Sequence, residues 1–99
     1  MLKNEISEAI GDKRLVIFEN KDEIETGLLK YNDPPHDTAF LFKFTNEDDR
    51  TFHTIGMKFD IDIYFYNKDK ELVNKKLSCK PGVVVESKYP CKYVLEIAS

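Results

Sequence analysis

His53, Asp60 and Asp62 stand close together in the chain and are the side chains best suited to chemistry. An imidazole changes charge near neutral pH. Asp60 and Asp62 fall on one face of an alternating segment, about 7 Å apart by strand rise. Two carboxylates so placed could hold a hard divalent cation or serve as an acid/base pair. Tyr64 and Tyr66 continue that face, where a surface strand would be polar. They point either to a second packed layer or to an interaction surface. His53, Asp60, Asp62, Tyr64 and Tyr66 are therefore the candidate binding residues.

Each also has a plainer reading. His53 shares the parity of Ile55 and Met57, which directs it inward, and a hydrogen-bonded structural histidine is favoured over a catalytic base. On a straight strand His53 and Asp62 have opposite parity and face opposite sides. Only a bend at Gly56 brings them together. The two aspartates sit in a chain rich in acidic residues, and a solvated polar face is the simpler account. Glu47-Asp48-Asp49 lacks the spacing and the glycine of a calcium loop and reads as a turn.

Cys79 and Cys91 have eleven residues between them and no CxxC pattern or neighbouring histidine. His36 and His53 do not complete a zinc set with suitable spacing. Two structural thiols are favoured over a disulfide, and both over a metal site. No Gly-rich phosphate loop, nucleophile elbow or HExxH motif occurs. No cofactor is implied, and no catalytic residue is assigned.

The elements that must position these residues follow from periodicity. Leu2, Ile6 and Ile10 have i, i+4 spacing before Gly11, which predicts a short helix over Leu2–Ile10. Leu15–Phe18 is a four-residue apolar run, the length of a buried strand. Asn20 with Glu23 three residues on predicts a second helix carrying Ile24 and Leu28. Asp33-Pro34-Pro35 forces a loop from about Lys30 to Thr38. From Ala39 the period becomes two, with Phe40, Phe42 and Phe44 alternating, and Thr45–Arg50 reads as a charged turn.

Ile55, Met57, Phe59, Ile61, Ile63 and Phe65 then fall in one phase, against Thr54, Gly56, Lys58, Asp60, Asp62, Tyr64 and Tyr66 in the other. So long a run predicts two strands meeting at a bend near Gly56–Lys58. Asn67–Lys70 is a hairpin turn without its customary Gly. Glu71–Leu77 returns as a strand, Pro81-Gly82 turns, and Val83–Val85 and Tyr93–Ile97 are further strands. The fold expected is mainly β, a compact antiparallel barrel or sandwich with one or two short N-terminal helices.

Ninety-nine residues with 41% hydrophobic and 33% charged content suit a single folded domain with one core, fed by seven Phe and five Tyr. A formal net charge of −3 argues against a nucleic-acid binder, and thirteen of the fifteen basic residues are Lys, so Arg forks for phosphate are scarce. No apolar run reaches membrane-spanning length, and Met1–Gly11 does not read as a secretion signal. A cytoplasmic protein is the expectation.

The segment Thr51-Phe52-His53-Thr54-Ile55-Gly56-Met57-Lys58-Phe59-Asp60-Ile61-Asp62-Ile63-Tyr64-Phe65 resembles the central motif of the domain of unknown function 192 family. His53, Thr54, Gly56, Met57, Ile61 and Asp62 stand at matching positions. Gly27-Leu28-Leu29, Phe40-Leu41-Phe42-Lys43-Phe44 and the closing Tyr93-Val94-Leu95-Glu96-Ile97 are similar to further family elements. The resemblance spans about residues 14–97 and implies a β-rich fold with no agreed activity. Three departures stand out: Asp60 for the usual Pro, Lys70 for the turn Gly, and no secretion signal or lipid anchor.

Function is accordingly read as a non-enzymatic binding or accessory module, with a protein partner or a second copy engaged through its β-face and the loops at Lys30–Thr38 and Thr45–Arg50. The alternative is a small enzyme or a metal- or ligand-binding domain using His53, Asp60 and Asp62. A virus-encoded structural or host-interacting protein is a further reading, carried by small size and a composition typical of AT-rich coding sequence.

Overall fold

The computed structural model describes residues 5–99. In chain order the elements are α1 (Glu5–Ile10), β1 (Arg14–Phe18), α2 (Lys21–Thr26), β2 (Thr38–Asp48), β3 (Thr51–His53), β4 (Ile61–Tyr66), β5 (Leu72–Cys79), β6 (Val84–Glu86) and β7 (Cys91–Ala98). Leu2, expected to open the first helix, lies outside the described residues.

Two short helices are enough because each is fixed by local chemistry or by packing. The Asn20 carboxamide accepts from the Glu23 backbone N–H at 2.8 Å, and the Glu23 carboxylate reaches back to the N–H of Asn20 at 3.4 Å and of Glu19 at 3.2 Å. This reciprocal cap starts α2. Gly27 ends it at φ 49°, and its N–H donates to the Glu23 carbonyl. A crossover of this kind is what a parallel pair requires. β1 and β2 pair in parallel, with Leu15 opposite Ala39 and Phe18 opposite Phe42.

The remaining pairs are antiparallel, giving a five-stranded mixed sheet in the order β1-β2-β7-β4-β5 and a separate two-stranded ribbon, β3-β6. The mainly β expectation with short helices holds. The closed antiparallel barrel does not: the sheet stays open, and its first pair is parallel because α2 carries the chain back over one face. The predicted Thr45–Arg50 turn is also narrower than expected, since β2 runs on to Asp48 through an irregularity in its pairing with β7.

Both sheet faces are apolar. On one, α1 sets Ile6 against Ala39, Leu41, Tyr66, Tyr93, Leu95 and Ile97. On the other, Phe18, Phe40, Phe42, Ile61, Ile63, Phe65 and Val94 pack beneath Leu28, Met57 and Val85. β7 lies at the centre and alternates between the two, so its side chains are buried in both phases from Tyr93 to Ala98. A strand covered on both faces reads as a continuous apolar run, with one exception in its middle, Glu96.

Candidate functional site

The segment Thr51–Tyr66 does bend, and more sharply than parity alone implies. Its two strands belong to different sheets, joined by the turn from Thr54 to Asp60. The expected apolar phase breaks there: Ile55 is 58% exposed while Thr54 is buried. Thr54 takes the inner position because it ties two turns together. Its hydroxyl donates to the Lys80 carbonyl at 2.7 Å and accepts from the Val83 N–H at 2.9 Å, and its carbonyl accepts from Gly82 and Met57. A buried hydroxyl so fully bonded carries no desolvation penalty. Gly56 turns at φ 87°, and a Cβ there would stand 3.3 Å from the Leu29 side chain. Met57 then returns to the core.

His53 is exposed rather than inward, because β3 is part of the ribbon and not of the main sheet. Asp62 is occupied locally. Its Oδ1 accepts from the Ser78 N–H at 2.8 Å and from the Ser99 hydroxyl at 2.7 Å. Ser78 has φ 53°, and the β4–β5 register slips between Ile61 and Ile63, so this carboxylate fastens a bulge. Asp60 pairs with the Lys80 ammonium at 3.1 Å. Tyr64 is half-buried, and Tyr66 is fully buried among the residues under α1, so the two rings form part of that second layer. Burial, and secondarily the Asp62 charge, raise the Tyr64 hydroxyl above its ordinary range. His53 and the aspartates are thus not gathered into one site.

A cavity of about 350 Å³ opens on the opposite face of the sheet from α1. α2 and the turn after it form one wall, the β2–β3 connection a second, and Phe42, Phe52 and Met57 much of the interior. His53 stands on its rim; Asp60 and Asp62 do not line it. Phe52 meets Phe42, Phe44 and Phe65 edge-on at centroid distances of 5.8, 6.1 and 5.9 Å, a geometry aromatic rings favour. The Arg50 guanidinium lies 3.7 Å from the Phe44 ring centroid. Its Nη2 donates to the Asn46 carbonyl at 2.6 Å and its Nε to the Cys91 carbonyl at 3.3 Å.

Glu25, Asp49 and Glu96 supply the carboxyls of this cavity, and Glu96 is the one on the central strand. It is 7% exposed, sits between Phe40 of β2 and Ile63 of β4, and makes neither a hydrogen bond nor an ion pair among the described residues. Burial pushes its carboxyl up to about 8, since the charged form loses its water. Cys79 and Cys91 are both free and buried, and burial raises both thiols. Among the described residues no group of three or more His, Cys, Asp or Glu side chains could hold a metal, and no helix is long and apolar enough to cross a membrane.

The model of the DUF192 family, Uncharacterized ACR, matches residues 3–99, nearly the whole chain. The chain belongs to the DUF192 family. Two crystal structures share its fold. A candidate transcription regulator from Sinorhizobium meliloti 1021 has a TM-score of 0.79 at 20% identity, over 86% of this chain and 67% of that one. A protein of unknown function from Novosphingobium aromaticivorans DSM 12444 has a TM-score of 0.80 at 21% identity, over 88% and 64%. The chain spans about two thirds of the length of each. No curated protein matches it.

The DUF192 signature segment now has a physical content: Thr54 anchors, Gly56 turns and Met57 becomes cavity wall. Glu96, by contrast, escapes an approach that starts from clusters of titratable residues. The signal lies in β7 itself, where one carboxylate interrupts an apolar run, in phase with Val94 and out of phase with Tyr93, Leu95 and Ile97.

Proposed function

We propose that this DUF192 chain is a binding domain whose ligand enters the cavity between α2, the β2–β3 connection and the sheet. The observation that carries this reading is Glu96, a largely buried acid whose carboxyl has no hydrogen-bond partner among the described residues and opens onto the cavity. A buried acid that stabilised only the fold would be hydrogen-bonded or would give way to an apolar residue of similar size. Ligand sites are typically apolar clefts with a few convergent polar groups, and 350 Å³ lies at the small end of their range. His53, on the rim, is the candidate residue from the sequence that fits this site. Asp60 and Asp62 fit a supporting role in the β4–β5 hairpin.

The test is a titration of the ¹⁵N-labelled chain with a mixed fragment library. Saturable shifts confined to Leu28, Phe52, Met57 and Glu96 are expected. Failure of every fragment to move those amides would remove the reading.

A second reading has its own support. Ile55 and Val84 are 58% and 64% exposed, and Val84 lies opposite His53 in the ribbon. Two apolar side chains held out on the ribbon and on the turn that follows β3 suit a protein partner. Val84→Glu should then abolish any concentration-dependent association seen by light scattering, while leaving fragment binding in the cavity unchanged.

A further inference from the structure

Acidic side chains outnumber basic ones around the cavity wall. Glu25 from α2, Asp49 from the β2–β3 connection and Glu96 from β7 are acids, and among the described residues no lysine lines the space. Arg50 is the counterweight, but its guanidinium is committed: one face covers Phe44, Nε donates to Cys91, and Nη2 donates to both the carbonyl and the side-chain oxygen of Asn46. An entering anion could use only Nη1, the guanidinium nitrogen left without a bond among the described residues, and would have to approach the Glu96 carboxyl to do so. An entering cation meets an acceptor that nothing else uses, above walls of Phe42, Phe52 and Leu28.

We infer that the cavity takes a small organic cation, a nitrogen base bearing N–H groups on a short flat apolar body, with the charged end seated on Glu96. This rests on the binding reading above and adds the chemical class of the ligand to it. Apolar and aromatic walls lower the local polarity around the ion pair, which strengthens it, and aromatic ring faces also attract a cation.

The seat is set up for exchange of one proton. In the empty cavity burial keeps Glu96 as the neutral acid. When an ammonium or amidinium group docks, the Glu96 proton leaves to solvent and the carboxylate accepts the ligand's N–H groups, so the site gains one cation and loses one proton. The groups facing Glu96 do not supply that charge themselves. Phe40 and Ile63 flank it on the neighbouring strands, and Cys79 on β5 is a buried thiol. Glu25 and Asp49 at the mouth are acidic, Arg50 is bonded elsewhere, and His53 is exposed on the rim.

The experiment titrates the full ¹⁵N-labelled chain at pH 7 with benzylamine, benzamidine, benzyl alcohol and benzoate at matched ionic strength. Amides of Leu28, Phe52 and Met57 report binding. The two cations should saturate at concentrations at least tenfold lower than benzyl alcohol, and benzoate should bind weakest. Glu96→Gln should bring the cations to the level that benzyl alcohol shows in the same variant. In the parent chain the ¹³C resonance of the Glu96 carboxyl should move to its ionised position as benzylamine saturates, a readout that needs no variant to fold. Benzoate or benzyl alcohol matching benzylamine at the same amides would overturn the cation assignment while leaving the binding site in place. Absence of saturation by all four probes would overturn the cation assignment too, and the wider fragment titration would then judge the binding reading by itself.

Discussion

The two faces of the central sheet are built from the same strands yet are closed in different ways. Under α1 the cover is a helix face, and Ile6, Ala9 and Ile10 pack in one cluster with Leu41, Tyr66, Tyr93 and Leu95. On the other face the cover is a one-and-a-half-turn helix, its capping turn and the Thr54–Met57 hub, which leave the space that Glu96 faces. Neighbouring residues of β7 make the contrast sharp. Leu95 faces the filled side and Glu96 the open one, a single step along the strand. Stability is invested on the first face. The second trades some of it for an accessible polar group, the usual relation between a scaffold and a site.

Shortening Leu95 should break that comparison most heavily. It is fully buried, and the residues around it come from the sheet and from α1, so the void cannot collapse freely. Leu95→Ala is expected to cost about 3 kcal/mol in urea or guanidinium unfolding. A loss below about 1 kcal/mol would mean the α1 face is not the rigid one.

The matching change on the open face should act through pH. Burial lifts the Glu96 carboxyl from 4.5 to about 8. Between those values the folded chain keeps a proton that the unfolded chain has released. The contribution of this group is therefore complete below about pH 4.5 and is lost as pH rises toward 8. Glu96→Gln removes the titration. Relative to that variant, the parent should lose roughly 2 to 3 kcal/mol between pH 5 and pH 7, at about 1.4 kcal/mol per unit. Parallel pH profiles for the two proteins, from denaturant melts, would contradict the burial argument.

The cover of the open face can be tested at Gly27. Its φ of 49° is unfavourable for an L side chain, and a Cβ would lie 3.3 Å from the Phe42 ring at the cavity wall. Gly27→Ala should cost about 1 to 2 kcal/mol and move the Phe42 and Phe52 ring resonances while sparing those of Tyr66 and Tyr93. Equal movement at both pairs would show that the faces are coupled.

Much of this architecture is visible in the amino-acid sequence itself. The Asn20–Glu23 cap, the alternating phenylalanines of β2 and the bend within Thr51–Tyr66 are local signals, and local signals survive folding. What the chain does not declare is which sheet a strand will join. β3 leaves the main sheet for the ribbon, so His53 turns outward although its parity with Met57 points inward. The parallel β1–β2 pair is likewise a property of where α2 crosses. Asp60, Asp62, Tyr64 and Tyr66 were conspicuous as a polar and aromatic phase, and they are absorbed by an ion pair, a bulge and a second core. Glu96 was inconspicuous because a lone acid in a strand usually marks solvent. Only the central position of β7, covered on both faces, makes that acid buried.

The smallest effect expected lies at the far end of the filled face, in the turn after β4. Lys70 has φ 64°, a conformation glycine adopts freely, and the family resemblance places a Gly at this position. Its backbone N–H donates to the Asn67 carbonyl, so the turn geometry is fixed by hydrogen bonding whichever residue stands there. Lys70→Gly should relieve about 1 kcal/mol of backbone strain. The ammonium of Lys70 lies 5.7 Å from the Tyr93 ring centroid, an exposed cation–π contact whose loss offsets about 0.5 kcal/mol of that gain. The net outcome is a stabilisation of a few tenths of a kcal/mol, read as a small rise in the denaturant midpoint with an unchanged slope. Lys70→Ala separates the two contributions, because it loses the cation and keeps the strain. It should be less stable than the parent, and a stabilised Lys70→Ala would show that the lysine side chain, rather than the backbone, carries the cost.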